Sequence, residues 1–339
     1  MKKLARLSLG AFIIAVILTF IGGNMISGSG INYGDVYELL EENIPVAKSG
    51  VTFSKEPETD LSDCPDIQET DYAAYQLNEF NSLNVYADRC TLEFIPTTVD
   101  KLVVSLIVPD EAEDDVIIQT AIKDGTLYVK FCWQSEPTAS LEDSVLTIGI
   151  PENYKGGFDI NAAGSSVTLC DIDSSMDIGF NLYNCNMTAE SINAGEVVLE
   201  SGGGAIEFGS ITASGGFGAT CVSSDLKVAS LTAMYTRVGA NNSSLRLNDI
   251  TGSISAELYM TEAEFDFLSV TGNISASAKL SQADIIIPGD SAVQLHHEER
   301  YSSFKNRLEQ TLKNGESKNS YHTIDTNVEF GIVSLTEKE

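Results

Sequence analysis

Basic side chains are scarce in this sequence. Twenty lysines and arginines stand against 49 aspartates and glutamates, for a formal net charge of −29 at pH 7. A nucleic-acid partner needs a cationic face to meet its phosphates, so that class is excluded. Electrostatic adhesion to anionic lipid fails on the same ground, whereas solubility or cation binding fits the balance. Histidine is rarer still. His296, His297 and His322 all lie near the C-terminus, so no base is on hand for nucleophilic catalysis over most of the chain. The run His296-His297-Glu298-Glu299 is the one metal-like cluster, but consecutive residues cannot all face one ion, and His322 is a distant third ligand. No metal and no cofactor are expected. None of the six cysteines forms a Cys-x-x-Cys pair, which removes the usual redox and zinc signatures and leaves structural thiols as the expectation. A Cys90–Cys132 bridge stays open. The runs Gly202-Gly203-Gly204 and Gly215-Gly216-Phe217-Gly218 have no helix after them, so they do not cradle phosphate.

What the chain does contain is a repeat. From Phe158 to Pro288 an apolar-x-apolar pair recurs about seven times at a period of about twenty residues. The pairs are Val167/Leu169, Met187/Ala189, Ile206/Phe208, Leu226/Val228, Leu245/Leu247, Phe265/Phe267 and Ile285/Ile287. Two positions after six of them stands a Ser or Asp (Asp171, Ser191, Ser210, Ser230, Asp249, Ser269), followed each time by an aliphatic residue. A second alternating segment precedes each pair: Phe158/Ile160, Ile178/Phe180, Val197/Leu199, Phe217/Ala219, Thr236/Val238, Ala256/Leu258 and Ala276/Ala278. Alternation at period two is strand spacing. Each unit is therefore two short strands joined by polar turns, too short for a useful helix and unable to bury its own apolar face. A coil of parallel strands, one turn per repeat, stacks those faces into columns. The fold class expected is all-β, a parallel β-solenoid, with the Ser/Asp positions as corners where a short polar side chain bonds nearby backbone. In such a stack the outward residues between the anchors form the column Thr168, Thr188, Glu207, Lys227, Arg246, Asp266, Ile286. It predicts the pairs Glu207–Lys227 and Arg246–Asp266.

The remaining segments set the layout. Residues 1–30 carry Lys2, Lys3 and Arg6 ahead of an apolar run long enough to span a bilayer. There is neither a lipobox cysteine nor a nearby small-x-small cleavage site, although a cleaved signal peptide is the competing reading. The positive-inside rule places the short N-terminus in the cytoplasm and the bulk outside, in the cell membrane as a single pass. Residues 31–76 read as an acidic tether, with two helical turns over Asp35–Asn43. Residues 77–157 read as strands that form an irregular cap, 158–295 as the solenoid, and 296–339 as a C-terminal helix over Glu298–Asn314 plus a closing strand.

Four stretches carry a resemblance. These are the lysine-led apolar run ending Ile21-Gly22-Gly23, the strand Asp124-Gly125-Thr126-Leu127-Tyr128-Val129, the approach Val145-Leu146-Thr147-Ile148-Gly149-Ile150-Pro151, and the closing Phe330-Gly331-Ile332-Val333-Ser334-Leu335. Together they make Leu77 to Leu335 resemble the bacterial "putative-adhesin" family of β-strand-repeat domains, a domain of unknown function on membrane-anchored proteins, mainly of Firmicutes. The resemblance implies a single-stacked right-handed β-solenoid and supplies no catalytic residues. It also implies an accessory role in envelope-stress signalling as an alternative to surface binding. Six cysteines in such an exported protein point to an anaerobic source. The functional expectation is a non-enzymatic surface binding or scaffold protein whose partner is a wall component, a glycan or a protein. A carbohydrate-active β-helix enzyme is a third reading, drawing on Asp171, Asp173 and Asp177 of the first rungs. Tyr183, Tyr235 and Tyr259 are the aromatics available to a glycan face, and their phases in the repeat differ.

Overall fold

Alternation decides this architecture. In the strand Gly157–Ala163 the residues Phe158, Ile160 and Ala162 are buried while Asp159 faces water, and the same parity recurs rung after rung. The computed structural model describes residues 67–109, 116–133, 144–289, 291, 293–300, 302–308 and 322–338. The expected membrane anchor, residues 31–66 of the tether and residues 309–314 of the expected helix lie outside them. Among the described residues every regular element is a β-strand, and the strands form one long, largely parallel, solenoid-like sheet.

Each rung has two long faces and a short side. On the first face, Gly157–Ala163 pairs in parallel with Ile178–Tyr183, which pairs with residues 197–202. On the second, Ser166–Leu169 pairs with residues 186–189, and these pair with 206–208. The short side stacks Ile172-Asp173 on Ile192-Asn193 and Ile211-Thr212. The interior is closed by aromatic contacts. Phe158 meets Phe94 edge-on at 6.3 Å, and Phe180 meets Phe208 at 5.8 Å. All thirteen anchor residues expected to form the core (Val167, Leu169, Met187, Ile206, Phe208, Leu226, Val228, Leu245, Leu247, Phe265, Phe267, Ile285, Ile287) are at most 2% exposed.

Stacking order departs from chain order at both ends. Residues 77–157, expected as an irregular cap, contain a regular rung. Ser82–Asp88 and Thr91–Thr97 pair in parallel with Gly157–Ala163 and Ser166–Leu169. Beneath them lie Thr126–Trp133 and Val145–Pro151, also parallel. Only the outermost strands, Gln68–Thr70, Tyr72–Gln76, Lys101–Ile107 and Val116–Lys123, run antiparallel. The first two lie within the stretch expected to be tether, and they correct its C-terminal boundary. At the far end, His322–Glu329 and Ile332–Lys338 slot in beside residues 274–279 and Gln282–Pro288. The earlier segments Val293–Arg300 and Ser303–Arg307 stack outside them. The amphipathic helix expected from Glu298 is thus overturned, since residues 298–300 and 303–307 are strand.

That outermost rung is mixed inside: Val293 is buried and Leu295, Phe304 and Leu308 pack on the core, while polar residues stand at other inward register positions. His297 lies in register with the buried Thr326, donating to or accepting from its hydroxyl at 2.8 Å, and stacks on Phe304 at 3.9 Å. Glu299 and Asn306 are in register with the buried Val328 and Leu335 but are themselves exposed. Hydrophilic residues at inward sites end the apolar columns, which is how a repeat stack avoids recruiting another chain.

A ladder of hydroxyls ties one corner. Arg89, Asn184, Ser223, Asn242, Met260, Leu280 and Phe330 each adopt φ between 48° and 54°, turning the chain from first face to second. The residue that follows is a buried Ser, Thr or Cys in every case but Phe330, which precedes the half-buried Gly331. The Ser281 hydroxyl donates to the Lys279 carbonyl at 2.8 Å and accepts the Thr261 amide at 3.1 Å. Ser243 treats Asn241 and Ser224 in the same way. Each hydroxyl satisfies a carbonyl of its own turn and an amide of the rung below, which pairs main-chain groups where the strands bend. Thr236 is one of several buried polar groups left unsatisfied among the described residues. It sits in an apolar column in register with Ile254, buried, and its Oγ1 finds no partner among the described residues. The near-isosteric Thr236→Val should stabilise the protein by about 1 kcal/mol, seen as a higher urea midpoint.

Cys90, Cys170, Cys185 and Cys221 are free thiols, so the Cys90–Cys132 bridge does not form. Burial pushes Cys90 and Cys221 up to about 12 and Cys185 up to about 11. At pH 8 these three are hidden and protonated, which makes them inert. Maleimide labelling followed by peptide mass mapping should find all three unmodified in the native chain and modified after urea unfolding.

Candidate functional site

A concavity follows from the bend between second face and short side. Where each rung turns, the outward positions are Cys170, Glu190, Gly209, Ala229 and Asn248, and the small residues leave the turn open. At Gly209 a Cβ would lie 2.4 Å from the Glu190 carbonyl, so only glycine lets the two rungs approach there. The result is a surface groove of about 1130 Å³ crossing successive rungs. One wall is the outward column of the second face: Thr168, Thr188, Glu207, Lys227 and Arg246. With strands roughly 4.8 Å apart, those five positions span about 19 Å. The end near the N-terminal rungs holds Ile95, which is 45% exposed, beside Pro96 and Pro151.

Charge is distributed unevenly along the groove. Lys227 pairs with Glu207 at 2.5 Å, as the outward column predicts. The expected Arg246–Asp266 pair does not form. Arg246 is in register with Glu264 and meets it at 3.6 Å, while Asp266 binds Lys338 at 2.9 Å. The cause is a slip of two residues. Leu245 and Leu247 face Ala263 and Phe265, and these face Ala283 and Ile285, so the last two anchor pairs begin two positions earlier than the sequence pattern indicates. Toward the other end lie Asp171, Asp173 and Glu190. Lys155 and Asn193 both bind the Asp173 carboxylate and hold its pKa below the usual carboxylate range. A lowered folded pKa means that this pairing is intact at neutral pH and is lost as pH falls through it. Cys170 opens half-buried into the groove with its thiol pKa raised, by burial first and then by Asp171 and Glu190.

The predicted corner residues have mixed surroundings. Asp171 lines the groove and is exposed, and Ser191 and Ser210 are register partners. Ser230 is half-buried, and Ser269 donates to Thr251 Oγ1 at 3.3 Å. Asp249 has φ of 45° and meets Lys338 at 3.6 Å. The buried hydroxyl ladder of the opposite corner went unread, though its signal is in the sequence. A Ser, Thr or Cys stands two residues before an anchor pair at 165, 185, 224, 243, 261 and 281, and the last two mark the true register. Of the acids that an enzyme would use, Asp173 is engaged by Lys155, and Asp177 sits beside Gly195. Among the described residues no three His, Cys, Asp or Glu side chains gather as for a metal ion, and no helix is long and apolar enough to cross a membrane.

An all-β, solenoid-like stack with end rungs filled out of order, and with a charged groove along its side, defines the class of protein. The chain belongs to the Toastrack DUF4097 family, whose model matches residues 80–336. No curated protein matches it. Among solved structures it is similar to a "putative adhesin" from Bacteroides fragilis, with 13% identity over 81% of this chain and 98% of that one and a TM-score of 0.44. It is also similar to a "putative adhesin" from Parabacteroides distasonis (11%, 80% and 97%, TM-score 0.37). A third is a "putative cell adhesion protein" from Clostridium sporogenes (11%, 80% and 100%, TM-score 0.23).

Proposed function

We propose that this chain is a non-enzymatic surface protein that binds an envelope component or another protein through its lateral groove. In this reading residues 1–30 anchor it in the cell membrane with the N-terminus in the cytoplasm, and the body stands outside as a right-handed coil of about seven rungs of about twenty residues. The observation that carries the reading is the groove itself. It is long, open and charged, and its wall carries exposed side chains such as Thr168, Thr188, Lys227 and Arg246. The apolar run at the N-terminus and the shortage of basic residues support the address and exclude nucleic acid as the partner. Photocrosslinking on intact cells tests it. The full-length chain carrying a photoreactive residue in place of Thr188, in the groove, should capture a discrete partner, whereas the same group in place of Ser255, exposed on the first face, should not. Capture from Ser255 alone would place the binding surface elsewhere.

A further inference from the structure

Lys227 and Arg246 are register partners on adjacent parallel rungs, so two cations stand side by side in a protein of net charge −29. Like charges directly opposite across strands destabilise a sheet. Each is answered only on its far side, Lys227 by Glu207 at 2.5 Å and Arg246 through Nε by Glu264 at 3.6 Å. The Arg246 side chain is 58% exposed and lines the groove, so its terminal guanidinium nitrogens offer a planar pair of donors there. Such a fork suits a carboxylate bidentately. The opposite end of the groove has the opposite sign, with Asp171 and Glu190 exposed.

Resting on the groove as the binding place, we infer that its occupant is an extended, zwitterionic peptide. A carboxylate of the peptide bridges Lys227 and Arg246, and its amino or cationic end lies against Asp171 and Glu190. About 19 Å separates Thr168 from Arg246, the length of roughly six extended residues. The exposed Ile95, beside Pro96, offers an apolar side chain of that peptide a place to pack. A glycan fits less well. The aromatic residues in the lining, Phe94, Tyr154, Phe158 and Phe208, are all buried and offer no ring face for a sugar to stack on.

The test uses the full-length chain in detergent micelles and a bead-bound random hexapeptide library displayed with free C-terminal carboxylates. A matched library with amidated C-termini is the control. The wild-type chain should be retained on carboxylate beads, with basic residues enriched at the distal end of the bound peptides. The amide library should retain it at least tenfold less. The double variant Lys227→Gln/Arg246→Gln, whose changes are both at exposed positions, should lose the same factor while keeping its urea midpoint. No retention, or retention indifferent to the carboxylate or to the double variant, overturns the peptide. So does retention on immobilised oligouronate that depends on Lys227 and Arg246 when neither peptide library binds. The Thr188 photocrosslink separates this failure from failure of the groove reading. A partner captured there without carboxylate-dependent peptide retention leaves the groove as the binding site and sinks only the peptide.

Discussion

Phe265→Ala is expected to cost about 3–5 kcal/mol of folding free energy, the range for deleting a fully buried aromatic side chain and leaving its cavity. Phe265 is 0% exposed and lies in register between Leu247 below and Ile285 above. Neighbouring rungs fix it on both sides, so the cavity cannot collapse by a local shift. Three residues along the chain, Leu268 is 60% exposed, and Leu268→Ala should change stability by no more than about 0.5 kcal/mol. Urea unfolding of the two variants beside the parent chain reads the contrast. Equal effects would mean that the inward and outward faces of this rung have been assigned wrongly.

Gly204→Ser is the second large effect, and its sign runs against the repeat. The equivalent position in other rungs is Ser165, Cys185, Ser224, Ser243, Thr261 or Ser281, so a consensus reading would place serine at 204. The backbone forbids it. Gly203 and Gly204 have φ of 88° and 91°, and a Cβ on Gly204 would lie 1.9 Å from the Cys185 carbonyl oxygen. From the rung above, Ser224 accepts the Gly203 amide at 2.9 Å. With backbone strain and a main-chain clash combined, Gly204→Ser should destabilise by at least about 3 kcal/mol. The same change at a conforming rung, Cys185→Ser, should be far milder. A stabilised Gly204→Ser variant would show that the corner geometry is not as described.

The inward faces were legible because period-two alternation reports which side of a strand each residue occupies. The same property hid the register of the last two rungs. A slip of two residues leaves Phe265, Phe267, Ile285 and Ile287 all inside, so only a feature off the alternation, the hydroxyls of Thr261 and Ser281, distinguishes the two registers. The left-handed corners were illegible at Met260, Leu280 and Phe330, since none is a residue type that favours that conformation and turn composition gives no hint. The strands at 293–307 were read as a helix because Tyr301, Phe304 and Leu308 fall at helical spacing. His297, Glu299 and Asn306, in register with buried residues of the rung below, interrupt the apolar alternation that Val293, Leu295 and Phe304 begin. Of the groove, the outward column and the Glu207–Lys227 pair were readable from stacking alone. Its concavity was not, because it depends on where each rung bends. Nor could local patterns tell that residues 322–338 stack inside 293–307, since stacking order is set by which edge the chain returns to.

The central claim is that parallel register, and not chain order, stacks these rungs. Ser277 and Asn327 are exposed register partners on adjacent strands, and Glu298 lies one rung further out, opposite Asn327. Mild oxidation of the full-length chain carrying Ser277→Cys with Asn327→Cys should form a disulfide, because neighbouring strands bring Cα atoms to about 5 Å, within bridging range. The pair Ser277→Cys with Glu298→Cys, about 10 Å apart, should stay reduced. The reverse pattern would put the segments in chain order and contradict the fold described.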